Sequence, residues 1–361
     1  MSRRPSIAAL AGLCLALSTA TIPTGAAATP PETSRAVHVS AHAAATRADG
    51  ALANPPGAPS GVCPAGTAYG PPLPASSVTA TKIQSGFSFL EGPLWVADGG
   101  YLLFSDMAAG TGPYNVQPST IRRFTPPATF DTFLANAGSN GLALSADAQQ
   151  VIAATHDQRN VSAYRLSDSA RSTVAANYQG RAFNSPNDVA VRSDGVVYFT
   201  DPNFQRGNRP DQMSGRTSVF RVSGNQVTLV DDRLRQPNGL ALSPDGTTLY
   251  VGAYSENKIY KYAVQPDGST GARSVFVNYV GGPDGGTIDC AGNVYWASGS
   301  DSLIHVYSPA GTQLGTIRSG TTGTTNVAFG GPDRQTLYVT SGPRNDSGLY
   351  SVRLNIPGYP Y

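Results

Sequence analysis

The stretch Gln236–Tyr262, QPNGLALSPDGTTLYVGAYSENKIYKY, carries three strand signals in close succession. An apolar run, LAL, ends at the tight-turn signal SPDG, a β-branched and aromatic run, TLYVG, follows, and KIYKY closes the unit with alternating character. Asn238 stands immediately before the first apolar run. The same arrangement recurs in EGPLWVADGGYLLFSDM from Glu91, SNGLALSADAQQVIAATHDQRNVSAYRL from Ser139 and SPNDVAVRSDGVVYFTDPN from Ser185, the last followed by SVFRV. It appears again in GPDGGTIDCAGNVYWASGSDSLIHVY from Gly282 and in TTNVAFGGPDRQTLYVTSG from Thr324, followed by GLYSVRL. The residues in the place of Asn238 are Glu91, Asn140, Asn187, Asp284 and Asn326, and successive positions lie 42 to 51 residues apart. That period is the one expected of propeller blades. A solenoid would need terminal units of a different kind, and none of the six reads as a cap. No helical period competes. The expectation is an all-β, six-bladed β-propeller over residues 81–361.

Composition agrees with a turn-rich β-protein: 13% of residues are charged, about half the usual share, and there are 40 Gly and 28 Pro. The net charge is +2, with no basic run beyond the first residues, so the electrostatic footprint of a nucleic-acid partner is missing. Residues 1–28 read as a signal peptide: MSRRPS is a basic start, IAALAGLCLALSTA an apolar core too short to span a bilayer, and Ala26–Ala28 a cleavage site. The expected protein is therefore secreted or periplasmic, free of the membrane after cleavage, and monomeric. Residues 29–80, rich in Ala, Pro and Gly, read as an N-terminal arm without periodic apolar pattern. Removal of the leader leaves two cysteines, Cys63 and Cys290, a disulfide candidate in an oxidising compartment that would pin the arm to the body.

In a propeller the innermost strand of each blade lines the axis, so the six residues that open these strands form a ring at one rim. Asn and Asp favour turns because their side chains bond nearby amides, which accounts for any single position. It does not account for Glu91, which precedes Gly92 and Pro93 where a turn has no use for glutamate. Two carboxylates and four carboxamides, without a Cys or His cluster, point to a hard divalent cation. Ca2+ fits best, and Zn2+ or Mg2+ would be tolerated. His156 ends the second strand of its blade, as Asp106 and Asp201 do in theirs, and is a candidate general base or a loop anchor.

At these residues the chain resembles the SMP-30/gluconolactonase/LRE-like group of six-bladed propeller hydrolases and, more distantly, the paraoxonases. The similarity runs from about Phe87 to Pro357 and rests on EGPLW, NSPNDVAVRSDGVVYFTDP, PNGLALSPDGTTLYV, PDGGTIDCAGNVY and TNVAFGGPDRQTLYVT. ATHDQRNV is similar to the bacterial gluconolactonase branch, which has a histidine there. The resemblance implies a divalent cation held by Glu91, Asn238 and Asp284, with Asn187 touching metal or substrate, and a small-molecule lactone substrate, sugar lactones above all. The implied reaction is ring opening by water, with Asp284 or His156 taking the proton and Asn187 donating to the oxyanion or a sugar hydroxyl. No strand-to-helix G-x-S-x-G elbow supports a covalent serine route. Two other classes stay open: a non-catalytic binding propeller with a structural calcium, and a propeller enzyme of the strictosidine-synthase type. Specificity belongs to rim loops such as PNFQRGNRPDQMSGRT and GTGPYNVQPST.

Overall fold

The computed structural model describes residues 61–360; the expected signal peptide and most of the arm lie outside the described residues. Strand signals at each of the six units become a four-stranded antiparallel sheet, and the sheets follow one another in chain order. Their innermost strands are Leu90–Val96, Ser139–Leu144, Val189–Val191, Pro237–Leu242, Pro283–Ile288 and Thr324–Gly330, in blades 1 to 6. The expected six-bladed β-propeller is present. The inner strands of blades 1, 2, 4 and 6 are buried along nearly their whole length because neighbouring blades cover both of their faces.

The core follows from this packing. Six clusters of buried side chains occur, one at each blade-to-blade interface. Aromatic pairs fill the wedges where blades splay outward: Phe183, Phe199 and Phe220 meet between blades 2 and 3, with Phe183 and Phe199 edge-to-face at 5.0 Å. Trp95 of blade 1 stacks on Tyr338 of blade 6 at 5.9 Å.

Ring closure uses a segment that the six-unit pattern leaves unassigned. The last unit supplies only three strands of its own, and its outermost strand is Thr81–Phe87, paired antiparallel with Ser347–Arg353. The two chain ends of the propeller thus share one sheet. At the axis the seam is sealed where the Thr325 hydroxyl donates to the Leu90 carbonyl at 2.8 Å, across 235 residues of sequence. Blade 5 also differs from expectation, because Ser77–Thr79 adds to it as a fifth strand parallel to Gln313–Arg318. This strand lies on the arm side of the boundary expected at residue 81, and Leu73 and Ala80 pack into the core between blades 5 and 6. The disulfide Cys63–Cys290 is formed, with Cα atoms 5.3 Å apart, and ties the arm to the turn after the inner strand of blade 5.

Candidate functional site: a ring of buried carboxylates on the propeller axis

Five of the six inner strands begin with an irregularity in their pairing, between Glu91 and Leu94, Ser139 and Leu142, Pro237 and Leu240, Pro283 and Gly286, and Thr324 and Asn326. A bulge bends the strand and re-aims the side chain beside it, and here it falls at the ring residue, the second or third of its strand, in each of the five. In blade 3 the inner strand starts only at Val189, so Asn187 and Asp188 precede it. All six ring residues, Glu91, Asn140, Asn187, Asn238, Asp284 and Asn326, are buried.

The glycines that follow four of them explain how the ring closes so tightly. A Cβ on Gly141 would collide with Asp188, and one on Gly239 would run into the Asp284 carbonyl; Gly92 and Gly285 stand in the same relation to Asn140 and Asn326. Each glycine therefore lets one blade's ring residue abut the ring segment of the next blade. Successive ring residues are neighbours around the axis for this reason, and the Gly141 N–H donates to the Asn187 carbonyl at 2.7 Å.

The electrostatics identify a third carboxylate. Glu91 is pushed up to about 8, first by burial and then by the nearby Asp188 carboxylate. Asp188 is pushed up to about 7 by burial, against bonds from the Val189 and Leu240 amides and the Asn326 side chain. Asp284 lies well above the ordinary carboxylate range because of burial and the charges of Glu91 and Asp188, relieved only by the Asn238 carboxamide. The Asn326 Oδ1 accepts from Val327 N–H at 2.8 Å, which leaves its Nδ2 to serve both Glu91 and Asp188. Asp284 Oδ1 and Asn140 Nδ2 are buried without a hydrogen-bond partner. Among the described residues, the one cation acting on Glu91 is the exposed Arg344, the weakest of the influences on it.

Of the expected site residues, Glu91, Asn238 and Asp284 are brought together, and Asn187 joins them on the ring with its Nδ2 3.5 Å from Gln205 Oε1. Among the described residues no three His, Cys, Asp or Glu side chains form a metal cage by themselves, so any cation here needs the neutral carboxamides as donors. The donor chemistry fits a hard divalent cation: oxygen ligands, an unpartnered carboxylate oxygen, and buried negative charge in excess.

His156 makes its hydrogen bond outside this group. It is fully buried, its Nε2 donates to the Gln117 carbonyl at 2.8 Å, and burial holds its pKa down at about 4. Arg209 bonds the His156 and Asp157 carbonyls and so locks the same corner. Asp106 and Asp201 are each engaged elsewhere, Asp106 with Arg122 and the Ser88 amide, Asp201 with the Asn184 and Ser185 amides. Two residues escaped the sequence reading. Asp188 could have been noticed because it stands where four other units have glycine. Tyr254, at the end of the second strand of blade 4, feels the charges of Asp284 and Glu91, and Phe204 meets its ring edge-on at 5.5 Å; nothing in the local pattern marks either.

The raised carboxylates fix a pH dependence. A carboxylate whose folded pKa lies above its unfolded value stabilises the fold while protonated, and that contribution is lost as pH rises through the folded value. For Glu91 and Asp188 the loss runs up to about pH 8 and pH 7. His156, lowered to about 4, contributes no slope above its ordinary value of 6.5. In chelator, the melting temperature should therefore fall between about pH 6.5 and 8.5, and a saturating divalent cation should flatten the slope by replacing protons with metal. Asp201, also raised to about 7, titrates in both samples and cancels in the difference. Parallel melting curves with and without cation across this range would refute a cation site at the ring.

Comparison with known proteins then locates the chain. The family model for the SMP-30/Gluconolactonase/LRE-like region matches residues 89–343. A gluconolactonase of Zymomonas mobilis is 32% identical over 309 residues, covering 76% of this chain and 83% of that protein. The pentonolactonase XacC of Haloferax volcanii is 32% identical over 176 residues, 46% of this chain and 58% of that protein. Among solved structures, a gluconolactonase of Xanthomonas campestris superposes with a TM-score of 0.65 at 27% identity, over 81% of this chain and 99% of that one. A match that runs from the first inner strand past the last, over the residues that build the ring, makes this chain a member of the SMP-30/gluconolactonase/LRE-like family.

Proposed function

We propose that this chain is a lactone hydrolase that opens a sugar lactone with water at the axial ring, with a divalent cation, calcium by preference, held by Glu91, Asn238 and Asp284 and with Asn187 as a further donor. The observation that carries the proposal is the trio of buried carboxylates Glu91, Asp188 and Asp284, each raised by burial, Glu91 further by Asp188 and Asp284 by both, with Asp284 Oδ1 unpartnered. The relatives named gluconolactonase and pentonolactonase support a sugar lactone as the substrate class.

When bound, the cation supplies polarisation of the ester carbonyl and stabilisation of the negative charge that develops on its oxygen. Asp284 accepts the proton of the attacking water: its carboxylate has a free oxygen and its raised pKa makes it a stronger base than an exposed aspartate. Asn187, engaged only loosely with Gln205, donates its Nδ2 to the developing oxyanion or to a ring hydroxyl. Tyr254 and the 40%-exposed Phe204 offer an aromatic wall to the apolar face of the sugar ring. His156 holds the loop that carries Gln117 and stays neutral; with a pKa near 4 it is a poor proton acceptor at neutral pH. The disulfide and the leader-like residues 1–28 support an exported protein.

The test is turnover of gluconolactone and of other γ- and δ-aldonolactones, with metal-loaded and chelated protein. Metal-loaded protein is expected to hydrolyse at least one of them, chelation to lower the rate by about 10²-fold or more, and calcium to restore it. Hydrolysis that ignores the chelator would refute the cation's part. Absence of hydrolysis with calcium bound would leave the non-catalytic binding propeller in its place.

A further inference from the structure

Past the ring, the axial channel continues as a cavity of about 90 Å³ lined by all six inner strands. Asp188 and Asn326 face its upper end, and Arg334 and Tyr359 its lower end. The lower mouth is crossed by the C-terminal segment, where Tyr359 N–H donates to the Ile288 carbonyl at 2.9 Å and Gly358 N–H to the Arg334 carbonyl at 2.8 Å. Between the ends the walls are apolar, among them Leu144, Val191, Leu242 and Phe329.

Arg334 is out of place by every local rule. It is 5% exposed, it takes part in none of the ion pairs found among the described residues, and its Nε has no hydrogen-bond partner. It closes the turn Gly331–Arg334 after the inner strand of blade 6 with a φ of 53°. The same turn position is filled by Gly100, Gly195, Gly246 and Gly292 in blades 1, 3, 4 and 5, and by Ala148 in blade 2. A side chain there works against a left-handed backbone that glycine adopts freely. Blade 6 alone puts a long cationic side chain at this position, and that side chain is buried against the channel. An isolated buried charge is costly unless a counter-charge accompanies it, and among the described residues no carboxylate pairs with Arg334, whose pKa is shifted by burial alone.

We propose that the lower end of the channel is a binding site for one small, weakly hydrated monovalent anion of the chloride, bromide or nitrate class, held by the Arg334 guanidinium. One fixed positive charge matches one negative charge. The cavity has room for several water-sized occupants, hence for one such ion with residual waters. The apolar walls disfavour sulfate or phosphate, whose stronger hydration they cannot replace. Burial alone already depresses the Arg334 pKa to about 10, and a bound anion removes that penalty. The site is independent of the lactone reading, because it sits at the opposite end of the inner strands from Asp284 and Glu91.

The test uses the full chain and Arg334→Met, which keeps the bulk of the side chain and deletes the charge. Melting temperatures are taken from 3 to 300 mM sodium chloride, bromide or nitrate, with sodium sulfate at matched ionic strength as reference. Wild type is expected to gain about 2–4 °C from the monovalent anions beyond the sulfate series, by mass action on the native state; Arg334→Met is expected to gain nothing beyond it. Crystals of wild type soaked in bromide should show an anomalous peak beside the guanidinium. Equal anion responses in the two proteins would overturn the site. Should Arg334→Met fail to fold, the bromide soak decides alone, and a wild-type channel without a peak overturns the proposal.

Discussion

Asp284→Asn is expected to lower lactone turnover by about 10³-fold or more and, in the same protein, to raise the stability of the chelated form. The two effects have one cause. Asp284 is buried with a free Oδ1 and faces the charges of Glu91 and Asp188, so its carboxylate is an asset to a cation and to a proton in transit, and a liability to the empty ring. The carboxamide keeps the shape and deletes the charge. Loss of the general base accounts for about 10² to 10⁴ of the rate, and loss of an anionic ligand weakens cation binding on top of it. Without cation, the variant removes a buried carboxyl group that is itself pushed up by burial and by the charges of Glu91 and Asp188, so at pH 9 in chelator it should melt above wild type. Steady-state rates on aldonolactones and melting curves in chelator are the two measurements. Full activity in Asp284→Asn would remove Asp284 from the mechanism, whereas a chelated variant that melts below wild type at pH 9 would show that the three carboxylates do not repel one another as the geometry requires.

The second large effect belongs to stability. Cys63 and Cys290 are 227 residues apart in sequence, so the bridge removes an unusually long loop from the unfolded ensemble, worth about 5 kcal/mol in the chain-entropy model. Cys63→Ser with Cys290→Ser is expected to lose most of that in urea unfolding while keeping lactone turnover. Activity is spared because Cys290 follows the inner strand of blade 5 that Asp284 opens, which puts the two about 20 Å apart along the strand. The lost energy reports on the lower face, where Cys290 N–H donates to the Pro357 carbonyl and the arm and the C-terminal segment converge. A double variant as stable as wild type would mean that the strand Ser77–Thr79 and Leu73 already anchor the arm without the bridge.

Much of the fold was legible because a propeller blade is a local object. Each unit contains its own strands and turns, so the order of strand, SPDG-like turn, strand and strand in Gln236–Tyr262 specifies one blade without knowledge of the others, and the recurrence of that order specifies six. The ring was legible for the same reason: Glu91, Asn187, Asn238 and Asp284 occupy one position in a repeating local pattern, and the family motifs fall on those residues. The two-cysteine pairing followed from counting alone.

What the sequence could not decide involves contacts that cross the repeat. Thr81–Phe87 is an alternating polar strand of no evident allegiance until Ser347–Arg353, at the far end of the chain, arrives beside it. Asp188 sits one residue beyond the ring position, and only the packing of Gly141 against it, with the Asn326 carboxamide between it and Glu91, makes it the third carboxylate of the site. His156 and Arg334 complete the contrast. The histidine has the residue type and strand position of a base, but burial lowers its pKa to about 4 and its Nε2 is engaged by the Gln117 carbonyl. The arginine sits in a turn that the sequence marks as surface, and closure of six blades around one axis turns that surface inward. Period and residue type are properties of a single blade, whereas burial, charge and partner are set by the neighbours a residue meets when the ring closes.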